Sequence, residues 1–295
     1  MTYFLQYVFI GLLTGGLYSA FAVTVVLVYK ATHVASLAHG QILAFGAVFF
    51  YLCMAVLQLP TLVSFLAALA LAGVLGFIIE RLTMRPLIGE PLFTSFLMTF
   101  AVFMFLDGVF NLYVSGETRF IPPFLPQGNV GIGELIIAKQ RASNFVMTLL
   151  PTLMVIGFFR YSKVGLRMRA TAENHRLAQS AGIRVKNVFS IIWIFSSILA
   201  AVAGIGCATV MNIHYPLPYN GLKGLLVALV GGLDSIGGAI LAGLLVGVIE
   251  SLAAGYVDPL TDVGGTSEVV AYVLLLFILL VKPYGLFGLG RIERI

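Results

Sequence analysis

The sequence predicts an all-α integral membrane protein: a polytopic bundle of about eight or nine transmembrane helices, some broken or short, with one further short helix in a basic loop. Three observations carry this. Hydrophobic residues make up 60% of the 295 and charged residues only 10%, far less charge than a water-exposed surface requires. Mean hydropathy is +1.05. Residues 1–29, 31–79 and 187–222 contain no Asp, Glu, Lys or Arg. A bilayer crossing takes roughly 20 apolar residues as helix. Lipid cannot hydrogen-bond a bare backbone, so such runs must be helical.

The elements follow from where the apolar runs stop. The first span covers about 4–29. It lacks the basic flank of a secretory signal and more spans follow, so Tyr3–Tyr29 reads as a retained helix. The second span starts after Ala38-His39-Gly40 and ends near Leu57, where Gln58-Leu59-Pro60 reads as a turn. The third runs to Ile79 and gives way to the polar joint Glu80–Pro86. The fourth covers 92–114. A polar, proline- and glycine-containing segment, 115–142, separates it from the fifth, 143–159. The loop 160–187 is the most basic in the chain. The sixth span covers 188–211, and Asn212–Asn220 is a connection. Two shorter apolar pieces, 221–233 and 237–256, are split at Asp234-Ser235-Ile236-Gly237. A bend at 257–267 precedes a last span, 268–282. The whole chain, 1–295, reads as one transmembrane domain.

Charge sets the orientation. The loop 160–187 holds Arg160, Lys163, Arg167, Arg169, Arg176, Arg184 and Lys186 against one acid, Glu173. The excess of Lys and Arg in short inner loops makes it cytoplasmic. Counting crossings puts Arg81 and Arg85 inside and 115–142 outside. The net charge of +5 thus reports membrane topology. No basic stripe with interleaved aromatics points to nucleic acid. Cys53 and Cys207 lie within apolar runs and read as small buried hydrophobes. No metal-ligand spacing occurs.

Small residues recur four apart: Gly11, Gly15, Ser19; Ser196, Ala200, Gly204, Ala208; and Ala239, Gly243, Gly247, Ser251, Gly255. Such stripes let helix backbones approach closely in lipid.

Two breaks interrupt apolar runs: Ser36-Leu37-Ala38-His39-Gly40-Gln41 and Gly231-Gly232-Leu233-Asp234-Ser235-Ile236-Gly237-Gly238. Transporters use backbone groups freed by broken helices to contact substrate near mid-bilayer. Ser36, Ala38, His39, Gly40, Gly231, Gly232, Asp234 and Ser235 are therefore candidates for a substrate pathway, against the alternative that both breaks are plain turns. His39 is expected to donate to a carbonyl freed by the break; lining the pathway or titrating there is its other role. Asp234 is either an intramembrane carboxylate of functional weight or the N-cap of the helix that follows. Asp107 and Glu250 are expected to face the bundle interior and pair locally.

In the basic loop, Thr171-Ala172-Glu173-Asn174 reads as an N-cap with an acid in the first turn, and Gly182 as the stop. The spacing predicts a short helix over about 172–181 with Leu177, Ala178 and Ala181 on its apolar face. A capped amphipathic helix between two spans suits docking to a soluble partner; lying on lipid headgroups is the alternative.

No Gly-x-x-x-x-Gly-Lys-Ser/Thr phosphate loop occurs, so ATP hydrolysis by that route is excluded. No catalytic constellation is visible, and the chain is not expected to be an enzyme or to carry a cofactor.

The strings Gly15-Gly16-Leu17-Tyr18-Ser19-Ala20, Ala38-His39-Gly40, Glu80-Arg81 with Arg85-Pro86, Tyr161-Ser162-Lys163-Val164-Gly165, Arg169-Ala170-Thr171-Ala172-Glu173 with Gly182-Ile183, Ala200–Gly204, Gly231–Ala239 and Lys282–Gly288 stand in an order and spacing that resemble the permease subunits of branched-chain amino acid ABC importers. The resemblance covers nearly the whole chain. It implies a bacterial inner-membrane protein that forms half of a pore with a second, homologous permease. Two ATP-binding subunits would hold the ATP, and a periplasmic binding protein would deliver substrate. The segment 165–183 would be the coupling element, with Gly165, Arg169, Thr171, Glu173, Leu177, Ala178 and Gly182 at the ATPase joint. Asp234 stands where the family commonly has Gly, and Ser36-Leu37 where Asn-Phe is common. The substrate stays open between hydrophobic amino acids and the urea, amides or aromatic acids that the family also imports. A gradient-driven carrier or channel is the alternative from another class; it would want paired intramembrane charges for its coupling ion.

Overall fold

The computed structural model describes residues 2–132, 135–260 and 265–288. Eleven α-helices occur among them: α1 (Thr2–Thr32), α2 (Ala38–Tyr51), α3 (Thr61–Ile79), α4 (Leu92–Val114), α5 (Lys139–Tyr161), α6 (Lys163–Glu173), α7 (His175–Ser180), α8 (Val185–Met211), α9 (Leu217–Gly231), α10 (Ile236–Tyr256) and α11 (Thr266–Val281). Seven are long and apolar enough to cross a membrane, counting the turns that extend some of them. With α9 (15 residues) and α11 (16 residues), this is the multi-pass helical bundle expected. A π-helical turn, Leu52–Val56, extends α2, and another, Glu80–Met84, extends α3.

The centre of the bundle is α1 and α8. Their middle turns are buried all round, through Phe21, Val23 and Val26 on α1 and Ile192, Trp193 and Leu199 on α8. A helix apolar on every face belongs in such a position. By contrast, α3, α4, α5 and α11 turn large apolar side chains outward, among them Leu62, Phe93, Phe105, Met154 and Phe277. In a membrane protein those faces meet lipid or another subunit.

The small-residue stripes of α1 and α10 interlock. A Cβ added at Gly11 would sit 2.5 Å from Val248 Cα, and one at Gly15 would sit 2.7 Å from Leu244 Cα. One at Gly247 would sit 2.5 Å from Gly15 Cα. Ser19 Oγ donates to both Gly15 O and Ile240 O, each at 2.8 Å, which adds a hydrogen bond across the seam. The α8 stripe packs on α2 in the same manner, with Gly204 against the Leu43 carbonyl.

The 115–142 segment holds more order than its polar composition suggests. Strands β1 (Asn129–Ile132) and β2 (Leu135–Ala138) pair antiparallel, Asn129 opposite Ala138 and Ile132 opposite Leu135. Arg119 and Ile213 exchange backbone hydrogen bonds of 2.9 and 3.0 Å, which fastens this segment to the connection after α8. The hairpin and the α6–α7 segment lie at opposite ends of the 23-residue α5. Helix α9 starts at Leu217, within the stretch expected to be a connection, because Pro216 and Pro218 suit a first helical turn.

Candidate functional site

Helix α1 stops at Thr32. His33 then takes a left-handed conformation, φ 55°, and Thr32 Oγ1 accepts from Val34 N at 3.2 Å. Residues 33–37 run back into the bundle before α2 begins. Leu37 N donates to Thr99 Oγ1 on α4 at 3.4 Å. His39 is enclosed: Nδ1 lies 3.0 Å from Ser36 Oγ and Nε2 lies 2.9 Å from Ser196 Oγ on α8. Ser196 gives its own proton to Trp193 O, 3.1 Å away. One proton assignment therefore satisfies the set: Nε2–H donates to Ser196, and Nδ1 accepts from Ser36. His39 thus bonds two hydroxyls, not the freed carbonyl expected, because the 33–37 segment carries Ser36 within its reach.

Ser196 is eleven residues into the 27-residue α8, about 16 Å along it at ~1.5 Å per residue. The first break therefore sits near mid-bundle. One residue on from Gly40, Gln41 Nε2 donates to Asp107 Oδ1 at 2.7 Å, and Asn111 Nδ2 donates to Asp107 Oδ2 at 2.9 Å. Gly40 rests on the start of α9, where an added Cβ would meet Pro218 O at 3.0 Å. Ser36, Ala38, His39 and Gly40 are all buried in this chain, held between α4, α8 and α9.

The second break lies toward the α6 end, where Lys30 is within electrostatic reach of both Asp234 and Arg169. Gly231 and Gly232 are buried, while Asp234 and Ser235 are half-buried. The N-cap of α10 is Ser235, whose Oγ accepts from Gly238 N at 3.0 Å. Asp234 is not the cap, because α10 begins one residue after Ser235. The last carbonyls of α9 are taken by the chain's own C-terminal segment: Leu286 N donates to Val230 O at 2.7 Å and Phe287 N to Gly231 O at 3.2 Å. Gly221, which packs on Gly40, is ten residues from Gly231 on α9, about 15 Å. The two breaks are thus at different depths.

The basic loop differs from expectation in its helix start. Helix α6 begins at Lys163, capped by Ser162 Oγ, which accepts from Gly165 N at 3.1 Å. Thr171 is not a cap. It is buried in the last turn of α6, and its hydroxyl donates back to Arg167 O at 2.8 Å. Glu173 is the last residue of α6, not an acid in a first turn. After Asn174, whose Oδ1 accepts from Leu177 N at 3.1 Å, comes the six-residue α7, and Gly182 follows with φ 81°. The predicted apolar face divides: Ala178 is buried and Leu177 is 68% exposed. Gly165 packs on the Phe159 carbonyl, leaving no room for a side chain, and Met168 is buried beside it. Arg169 Nη1 donates to Phe159 O at 3.2 Å. His33 Nε2 lies 2.8 Å from Ala172 O and ties α1 to α6.

Three charged clusters stand in the bundle, and Asp107 and Glu250, the acids expected to face its interior and pair, belong to two of them. Glu80, fully buried, is held by Arg85 through two bonds of 3.1 and 3.0 Å and by Ser190 Oγ at 2.8 Å, joining α3 to α8. Asp107 is the second cluster. The third is Lys223, which bonds Glu250 at 3.2 Å and Glu268 at 3.0 Å. The signal for it was present, since Lys223 is the single Asp, Glu, Lys or Arg between 187 and 233.

Between α1, α5, α8 and α10 lies a cavity of about 360 Å³. Its wall includes Leu13, Tyr18, Arg141, Asn144, Met211 and Glu250.

Residues 7–279 match the family model described as branched-chain amino acid transport system / permease component. The high-affinity branched-chain amino acid transport system permease protein LivH of Escherichia coli (strain K12) is 28% identical, over 99% of this chain and 98% of LivH. BraD of Pseudomonas aeruginosa, with the same description, is 29% identical over 99% and 98%. The probable branched-chain amino acid transport permease protein LivH of Methanocaldococcus jannaschii is 28% identical over 90% and 87%. The multi-pass bundle and a match over nearly its full length agree: the chain belongs to the family of branched-chain amino acid transport system permease components.

Proposed function

We propose that this chain forms half of the pore of an ATP-driven ABC importer in the bacterial inner membrane. It moves branched-chain or other hydrophobic amino acids inward from a periplasmic binding protein, beside a second homologous permease. Two ATP-binding subunits bind the ATP, and this chain contributes no catalytic step. In this arrangement 115–142 faces the periplasm, 160–187 faces the cytoplasm, and 1–295 acts as one permease domain.

The α6–α7 segment is the main support. Leu166 and Leu177 stand 61% and 68% exposed among exposed Lys163, Arg167 and Arg169. The opposite side of the same segment is anchored by Gly165, Met168, Thr171 and Ala178, all buried. Exposed leucines on a rigidly seated basic element suit a protein partner better than water. Glu173 and Gly182 frame the α7 turn that presents Leu177. The start of α2, with Gly40 and the Gln41–Asp107–Asn111 cluster, borders the proposed path near mid-depth. The second break, covered by residues 284–288, closes the inner end of α9.

Leu177→Asp places an unpaired charge in the proposed joint, and a packed apolar joint strips its water without offering a partner in return. The variant should insert normally but lose the copurifying ATPase, or leave its ATP turnover uncoupled from amino acid uptake. Unchanged coupling in that variant sinks the docking role.

A further inference from the structure

We propose that His33 is the link through which the α6–α7 segment positions the start of α2. His33 stands just past the end of α1, with φ 55°. A left-handed residue closing a helix is usually glycine, and most side chains avoid that conformation. Stability alone therefore favours glycine at this position. The histidine ring makes a contact that glycine lacks. Its Nε2 lies 2.8 Å from Ala172 O. A carbonyl only accepts, so Nε2 carries the proton and donates. Tyr29 stands edge-on to the ring at 87°, with 5.9 Å between centroids, and closes one side of it.

Ala172 is the last residue but one of α6. The body of α6 is seated on α5: Gly165 packs on the Phe159 carbonyl, and Arg169 Nη1 donates to it. The end of α6 leads instead into Asn174, extended at φ −157° and ψ 112°, and from there to α7 with its exposed Leu177. The end of α6 nearest the proposed joint is thus the end that His33 holds. On its other side His33 opens the 33–37 passage, which is pinned at its far end. Leu37 N donates to Thr99 Oγ1, and Ser36 meets His39, which meets Ser196. Gly40 N donates to Leu37 O at 3.2 Å. Val34 and Ser36 are buried, so the passage has no open space into which to bulge. A shift of the α6 end therefore moves Leu37 and the first turn of α2 with it. That this link serves transport rests on the function proposed above; the link itself rests on the geometry alone.

The test reads backbone hydrogen exchange across 34–40, first in the full chain alone in nanodiscs. His33→Gly keeps the turn and removes the donor. Ala172→Pro bends the last turn of α6 and carries the acceptor away. Each should speed exchange at 34–40 about tenfold, the size of one lost hydrogen bond. The double variant should speed it no further, since both changes break one link. His33→Gln, whose Nε2 reaches as far as that of histidine, should exchange like wild type. His33→Asn suits the turn but is too short to reach, and should behave like His33→Gly. The second arm is the assembled complex, with its ATPase and binding protein, in proteoliposomes. Uptake per ATP hydrolysed should fall about tenfold in H33G and H33N, within the usual size of a coupling between sites. The thermal midpoint should stay near that of wild type, and H33Q should restore uptake. A merely structural histidine gives a different pattern: uptake lost only in step with the midpoint, and glutamine restoring neither. That pattern overturns the proposal, as does exchange at 34–40 that neither single variant alters or that the double variant multiplies. Exchange as expected in the chain, with no ATP-driven uptake by the wild-type complex, refutes the importer and leaves the link standing.

Discussion

At residues 33–37 the chain passes from one helix to the next through side-chain hydrogen bonds to other helices; at 232–235 it does so through the main chain. The first passage relies on Thr99, Ser196 and Asp107, which lie on α4 and α8. The second relies on Leu286 and Phe287 N–H groups meeting Val230 and Gly231 carbonyls, with Ser235 capping α10. Side-chain partners can be exchanged by a rotamer change, whereas a backbone clasp opens only if a whole segment leaves. The first break is therefore the adjustable one and the second the fixed one.

The largest effect is expected at the clasp. Gly232 has φ 96°, and a Cβ there would lie 2.5 Å from Gly288 N. Backbone strain of about 1–3 kcal/mol adds to overpacking of similar size. Gly232→Leu should lower the thermal midpoint in detergent sharply and leave little folded protein. A wild-type melting curve would show that residues 284–288 do not close this turn.

His39→Ala should cost less, about 1–3 kcal/mol, the penalty for stranding buried polar partners. Ser36 and Ser196 can partly recover by bonding to backbone carbonyls, as Ser196 already does. A double-mutant cycle with Ser196→Ala should give a coupling energy clearly different from zero; strict additivity would mean that the hydrogen bond contributes nothing to stability.

Ser235→Ala should have the smallest effect, about 1 kcal/mol for a lost N-cap, read as a modest fall in midpoint with assembly unchanged. A loss as large as that of Gly232→Leu would move the clasp's strength from the main chain to this hydroxyl.

Spans and breaks were legible in the sequence because both are one-dimensional signals: absence of charge over about 20 residues, and glycine, serine or aspartate interrupting it. What joins the breaks to the bundle was not. Ser196 is 157 positions from His39, and Asp107 is 66 from Gln41; nothing local marks them as partners. The basic loop misled for a different reason. Both Ser162 and Thr171 are cap-type residues, and the acid at 173 favoured the later one. Ser162 prevails because it reaches Gly165 N, while Thr171 bonds back to Arg167 O inside the helix, a habit of threonine in helix interiors. Lys223 was overlooked because a single charge does not disturb an apolar average. Its role appears only when α10 and α11 bring Glu250 and Glu268 to it.

The glycine seam between α1 and α10 has a mechanical consequence. Where backbones touch, no side-chain layer remains to shear, and packed interfaces switch between discrete arrangements instead of yielding gradually. The two helices travel as a single lever arm. One end of that arm is latched to α6 by the His33–Ala172 contact. Its flank carries Tyr18 and Glu250, both on the wall of the cavity. A displacement of α6 would reach the cavity wall by α1 and α10 moving together, and it enters them through His33, the first residue of the 33–37 passage.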